Sequence, residues 1–311
     1  MNHQRSCIAA VMSGVLLSLC LAVHGEARSS AASEEVVFGN AGVPLSGTLY
    51  IPERDVPTAA VVLVHGSARQ DSLRMTALAQ VLANDGFAVL TYDKRGTGKS
   101  GGVFQDGDDV AAFTLLAEDA AAGLRVVGGH PRLKGVPAGL IGISQGGWVA
   151  PIAASRSPDT AFMVLWSGPV CTLGEELHFS AFAKKLQDFS MYTYAAEMRE
   201  HMRSVPHRAD DFDPRTVLSN LSLPSLWVFG GRDDSIPVEL SVSRLEGLIK
   251  DGYPDFEYRV FPEGGHGLDY PGKAPEAYHF MIDWIRSTAA KAAPQSTTHD
   301  RAKSAARERK R

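Results

Sequence analysis

Gly142-Ile143-Ser144-Gln145-Gly146-Gly147 follows a short apolar run, residues 138–143, and leads into Trp148-Val149-Ala150. It reads G-x-S-x-G across a strand, a tight turn and a helix. This is the nucleophile elbow, in which the turn lifts a serine hydroxyl clear of a sheet. Glycines suit the flanking positions because a side chain at either would collide with the neighbouring strand or helix. A plain glycine-rich turn between a strand and a helix has the same local look. What surrounds the motif separates the two readings.

Strand-like runs recur along the chain with helical stretches between them, the pattern of an α/β sheet. Residues 35–39 and 47–51 read as an opening hairpin, followed by strands at 59–64, 87–92, 138–143, 162–166, 225–229 and 256–261. Runs that are apolar on both faces belong in the buried middle of a parallel sheet. Helical patterns fill the gaps at 72–84, 114–127, 147–154, 238–250 and 275–287. One connection is far longer than a crossover needs. Residues 170–223 form an insertion, with helical composition at 175–185 and 192–204, that predicts a small helical cap. Ligands of such sheets bind at the carboxyl ends of the strands, so an insertion leaving from such an end would cover the site.

A serine hydroxyl needs a neighbouring base to take its proton, and the base needs an acid to orient it. In chains with this elbow the order is Ser, Asp, His. After the strand at 225–229 comes Gly230-Gly231-Arg232-Asp233-Asp234-Ser235-Ile236-Pro237, which places a carboxylate just past a strand end. Asp233 is preferred over Asp234 because it lies three residues after Gly230 and four before Pro237. After the next strand comes Glu263-Gly264-Gly265-His266-Gly267-Leu268, where a histidine among glycines can swing over the serine. The backbone N–H of Gln145, next to the serine, is one donor for a developing oxyanion. A second is expected from Val64-His65-Gly66-Ser67-Ala68, and Ser67 is the choice there. His65 is expected to brace this loop.

These residues, together with Tyr92-Asp93-Lys94-Arg95-Gly96-Thr97-Gly98-Lys99-Ser100, resemble the α/β-hydrolase family across roughly residues 35–287. The nearest likeness is to bacterial serine esterases and aminopeptidase-like hydrolases with a His-Gly-Ser-x-x-x-Asp loop, here His65 to Asp71. Many of those have Gly where this chain has Ala68. The resemblance implies a mostly parallel sheet flanked by helices, with Ser144 as nucleophile, His266 as base and Asp233 as its partner. It also implies no cofactor and no metal, and a small-molecule ester as substrate. Two alternatives stand beside it. A peptidase would need a carboxylate for the substrate's amino terminus, for which Glu175 and Glu176 are candidates. A non-catalytic binding protein would keep the scaffold alone. Phe179, Phe182, Phe189, Met191 and Tyr192 are expected either to line an acyl pocket or to form the core of the cap.

The remaining features bound the reading. Gly98-Lys99-Ser100 looks like the end of a phosphate-binding loop, but that motif needs Gly where Asp93 sits. The turn is read instead as structural, tied down by Asp93 and Arg95. Asp106, Asp108 and Asp109 fit no calcium-loop spacing and read as a solvated turn entering a helix. Arg5, the apolar run at 8–23 and the small residues after it describe an export signal ending near Ala27, with an uncleaved anchor as the alternative. The protein is therefore expected to be periplasmic or secreted, without stable membrane insertion. About 280 residues remain after cleavage, enough for one large domain. Cys171 would then be the lone cysteine and is read as a small buried hydrophobe. With 21% charged residues and a net charge of -4, no nucleic-acid partner is expected for the folded domain. From residue 288 a basic tail is expected to be disordered, closing on Arg307-Glu308-Arg309-Lys310-Arg311.

Overall fold

The computed structural model describes residues 31–53, 55–104, 109–206, 208, 211–253, 255–269 and 275–292. The export segment, Asp106, Asp108 and the chain beyond residue 292 lie outside the described residues. The chain opens with β1 (Ala31–Asn40) and β2 (Val43–Pro52), joined at Ala41 and Gly42, both with positive φ. Two such residues give a hairpin turn whose twist matches its strands. Then follow β3 (Ala60–Val64), α1 (Leu73–Asn84), β4 (Ala88–Tyr92), α2 (Val110–Gly129), β5 (Ala138–Ile143) and α3 (Gly146–Ser155). After β6 (Phe162–Trp166) come α4 (Leu173–Ala183), α5 (Ala195–Met202) and α6 (Arg215–Leu218). The chain closes through β7 (Ser225–Gly230), α7 (Val238–Lys250), β8 (Phe256–Phe261) and α8 (Pro275–Ala292).

The eight strands form one sheet in the order β1-β2-β4-β3-β5-β6-β7-β8. Only the β1–β2 and β2–β4 pairings are antiparallel. The central strands are buried on both sides, and their alternate residues feed two separate cores. Val61, Leu63, Ile141 and Val164 pack with Leu82 of α1 and Met281 of α8. Val62, Val64, Leu140 and Leu165 face the other way, onto Phe113 of α2, Trp148 of α3 and Leu245 of α7. This two-sided burial is why strands 3 to 7 read as continuous apolar runs.

Several boundaries differ from the sequence expectation, among them β2, which spans Val43–Pro52 rather than 47–51. Helix α2 starts at Val110 rather than 114, because the Asp109 carboxylate caps it, accepting the Ala112 N–H at 2.7 Å. The opening strand begins at Ala31 rather than 35. Helix α8 runs to Ala292, so the expected start of the tail at residue 288 is too early. Ala277, Met281, Ile285 and Ala289 continue one face at helical spacing, and Thr288 and Ala289 are buried. Small residues hid that burial from a reading based on composition.

Helices α4 to α6 lie in the long connection between β6 and β7. Phe179, Ala183, Phe189 and Met198 form a small core of their own there. Thr172 and Glu175 make a reciprocal cap at the start of α4, and Arg244 of α7 clasps Glu175 with bonds of 2.5 and 2.6 Å. The Met191 N–H donates to the Gly231 carbonyl at 2.9 Å, which fastens this segment to the loop after β7.

Candidate active site

Ser144 sits just past β5 with φ +54°, a left-handed conformation that a side chain disfavours by about 1–2 kcal/mol. The surroundings hold it there. Its N–H donates to the Trp166 carbonyl at 3.0 Å, and α3 starts two residues later. A Cβ on Gly142 would strike the Gly146 carbonyl, and one on Gly146 would fall 2.6 Å from the Val64 carbonyl oxygen. Both glycines are therefore required for close approach, as the motif implied.

Asp233 leaves the end of β7 with 1% of its surface exposed. The N–H groups of Ser235 and Ile236 donate to its Oδ1 at 2.9 and 2.8 Å. His266 Nδ1 lies 3.0 Å from both of its oxygens. Among the described residues Asp234 makes no such bond and accepts only a 3.4 Å contact from the Ser235 hydroxyl. A carboxylate only accepts, so Nδ1 carries the proton. In the neutral ring Nε2 is then an acceptor, and Ser144 Oγ lies 3.0 Å from it. The loop carrying His266 is gripped on both sides of Gly267. Trp166 Nε1–H donates to its carbonyl at 2.6 Å, and its N–H donates to Ser167 Oγ at 3.0 Å. Trp166 and Ser167 were not singled out in the sequence, although their place, the last residue of β6 and the one after it, is a strand end of the same kind.

Burial opposes a charge on His266. The hydrogen bond and charge of Asp233, with Asp234 and Glu176 adding to them, outweigh it and raise the pKa above the ordinary 6.5. A histidine that serves as base must be neutral, so activity that depends on His266 as base is expected to fall as pH drops through this raised value. The acid limb of kcat/KM is therefore expected above pH 6.5, falling about tenfold per unit below it. Glu176→Gln should move the limb to lower pH. A limb at or below the ordinary histidine value would show that Asp233 does not govern the ring.

Ser67 lines a cavity of about 410 Å³ together with Ser144 and His266. Behind it lies a residue the sequence reading passed over. Lys94 is only 3% exposed, and its Nζ donates to the carbonyls of Gly66 (2.7 Å) and Ala68 (3.2 Å) and to Gln145 Oε1 (2.8 Å). One ammonium group thus ties the loop after β3 to the elbow. The peptide bonds are trans, so the Ser67 N–H points opposite to the Gly66 carbonyl that Lys94 holds. Ala68 adopts φ +66°, where glycine is at ease. The position at which this chain departs from the family pattern is thus also one where the loop is strained, and Lys94 holds it. A lysine two residues past a strand end, beside the site, was the available signal.

His65 acts as a brace. It is 2% exposed, donates from Nε2 to the Tyr92 carbonyl, and has its pKa lowered to about 4, chiefly by burial. The turn after β4 is tied as expected. Asp93 accepts from the N–H groups of Ser72 and Lys99, both at 2.6 Å, and the Arg95 guanidinium pairs with buried Asp119 of α2. Cys171 is fully buried, and burial raises its thiol pKa. Glu175 is committed to Arg244, which outweighs burial and holds its carboxyl below the usual range, so it is no open anchor for an amino terminus. Phe179, Phe189 and Met191, with Met198 and Met202, line a separate cavity of about 280 Å³ that includes neither Ser144 nor His266. Phe182 packs against the cap core, and Tyr192 is exposed. Among the described residues, no cluster of His, Cys, Asp or Glu could hold a metal ion, and no helix is long and apolar enough to cross a membrane.

A mostly parallel sheet with helices on both faces, carrying Ser144, Asp233 and His266 past the ends of β5, β7 and β8, defines an α/β hydrolase. The chain belongs to the serine aminopeptidase S33 family, whose profile matches residues 55–211. That match ends before the acid and the histidine, which the structure supplies. Esterase EstD of Thermotoga maritima is 26% identical over 217 residues, covering 61% of this chain and 50% of its own. A monoacylglycerol lipase of Mycolicibacterium smegmatis is 32% identical over 142 residues, covering 45% of this chain and 48% of its own. The chain thus spans about half the length of these two curated relatives. Among solved structures, the Pyrococcus furiosus esterase Pf2001 superposes with a TM-score of 0.62 at 21% identity, over 85% of this chain and 92% of its own. A proline iminopeptidase of Mycobacterium smegmatis does so with a TM-score of 0.62 at 14% identity, over 83% of this chain and all of its own. At such identities these two likenesses concern the fold alone.

Proposed function

We propose that the protein hydrolyses a carboxylic ester through an acyl-enzyme on Ser144. The observation that carries this is the unbroken row from Ser144 Oγ through His266 to Asp233, each step at 3.0 Å. In the reading, His266 Nε2 takes the hydroxyl proton as Oγ bonds to the carbonyl carbon. The same nitrogen returns the proton to the departing alcohol as the C–O bond breaks. A water, deprotonated by His266, then attacks the acyl carbon, and His266 returns that proton to Ser144 Oγ as the acyl–Oγ bond breaks and the acid leaves. The N–H groups of Ser67 and Gln145 would hold the oxyanion. Similarity to an esterase and a monoacylglycerol lipase supports ester over peptide bonds, as does the occupation of Glu175 by Arg244.

Export from the cytoplasm belongs to the same proposal and rests on Arg5 and the apolar run at 8–23. The test takes enzyme from the extracytoplasmic fraction, its amino terminus read by sequencing, and measures hydrolysis of p-nitrophenyl esters from acetyl to decanoyl. Turnover blocked by a fluorophosphonate that labels Ser144 is the expected result. Silence on every ester with turnover of aminoacyl anilides would replace the reading with a peptidase. Silence on both, with no label, would leave a binding protein.

A further inference from the structure

We propose that the ester taken by this site carries an anionic oxygen group, a carboxylate or a phosphate, which Arg69 and Arg74 recognise. The proposal rests on the ester-hydrolase reading and adds the charge of the substrate. Both arginines line the cavity onto which Ser144 and His266 open, and none of the described residues lining it is acidic. Among the described residues the Arg74 guanidinium has no ion pair or hydrogen bond, although Asp71 stands three residues away and accepts the Arg74 backbone N–H at 3.3 Å. Arg74 also stands in the first turn of α1, a turn with no acidic residue. A helix amino terminus is electropositive, so a cation there is misplaced unless something negative arrives. Such a local conflict is expected at functional sites.

Arg69 is held ready. Its Nη1 donates to the Gly96 carbonyl at 3.2 Å, and the guanidinium lies 4.5 Å from the centre of the Phe104 ring. That leaves most of its five N–H donors for a ligand. Among the described residues no carboxylate pairs with it. Lys94 adds a third positive charge just beneath the loop. Of the nearby acids, Asp93 is buried and accepts two backbone N–H groups and Asp233 faces His266. Glu176 adds its charge at His266 from α4, and Asp71 accepts the Arg74 backbone N–H, so neither pairs with a guanidinium of the two arginines among the described residues. A guanidinium binds carboxylate or phosphate through paired charge-assisted bonds, whereas it repels a protonated amino terminus. The site therefore favours acidic esters and opposes the substrates of an aminopeptidase.

The test compares p-nitrophenyl hemisuccinate with the neutral p-nitrophenyl pentanoate, whose acyl chain is of similar size. The wild-type enzyme should prefer the hemisuccinate in kcat/KM by about tenfold or more at low ionic strength. The ratio should collapse toward one in Arg69→Gln plus Arg74→Gln, and shrink in about 0.5 M salt. It should persist in Arg156→Gln, which removes an equal charge at the far end of α3. No preference, or one that survives the double variant, overturns the proposal while ester hydrolysis stands. If neither ester is turned over, calorimetric binding to Ser144→Ala protein still reads the site. Tighter hemisuccinate binding, lost in the double variant, would keep the anion site and sink the hydrolase reading; equal binding of both would sink the site. Competition by succinate and by inorganic phosphate identifies which group the arginines prefer.

Discussion

Ser144→Ala is expected to lower kcat/KM toward every ester by about 10⁴-fold or more, with the fold intact. The argument runs from geometry. Ser144 Oγ is the group within 3.0 Å of His266 Nε2, and His266 is in turn held by buried Asp233. In the proposed mechanism, removing the oxygen leaves His266 and the oxyanion donors with nothing to activate. The fold should not suffer, because the elbow is held by backbone contacts: Ser144 N–H to Trp166, and Gly147 N–H to the Ser144 carbonyl at 2.7 Å. Ser144→Gly sharpens the test. Glycine takes φ +54° without strain, so this variant should be as inactive yet equal to wild type in stability, or up to about 1 kcal/mol above it. Chemical denaturation beside the rate assay reads both. Retention of more than about one part in a hundred of the rate in Ser144→Ala would remove the serine from the mechanism.

Lys94→Met is expected to lower kcat by about 100-fold while KM changes little. The side chain is 3% exposed and far too buried to bind substrate. Its three bonds hold the Gly66 and Ala68 carbonyls against Gln145 Oε1. Methionine fills similar space but donates nothing, so the Gly66–Ser67 peptide is free to rotate and the Ser67 N–H loses its aim. An oxyanion donor acts on the transition state more than on the bound ester, so the loss should fall on kcat. Binding of a boronate transition-state mimic should weaken in parallel with kcat. Unpairing these buried acceptors should also cost about 1–3 kcal/mol of stability. A variant equally unstable but with full kcat would make Lys94 a structural strut alone.

Much of this site was legible in the chain because its signals are local. A glycine that must admit a neighbouring backbone announces itself within a few residues, as at Gly142 and Gly146. A carboxylate or histidine set in a glycine-rich turn after an apolar run does the same at Asp233 and His266. The apolar runs at 138–143 and 162–166 match their strands residue for residue, since burial on both faces leaves no polar position to blur the ends. Asp233, and not its neighbour, faces His266, because its offset from the strand end sets which way the carboxylate points.

Partnership across the fold is another matter. Lys94 meets Gln145 across 51 residues of chain, Arg95 meets Asp119 across 24, and Arg244 meets Glu175 across 69. Each depends on the order of strands in the sheet and on the side of it that a helix packs. Neither is encoded in the period of any one segment. The same holds for Arg69 and Arg74, which look like ordinary surface charges until the loop after β3 and the start of α1 close around Ser144. The cap residues Phe179, Phe189 and Met191 have the composition of an acyl pocket, yet packing gives them a cavity apart from the triad. The sequence by itself determined the sheet, the elbow and the three residues, Ser144, Asp233 and His266, that the fold brings together, because turns and burial periods act over short stretches. Only the tertiary structure decided what charge surrounds the serine and what braces its oxyanion loop, because those follow from distances between segments that no single segment contains.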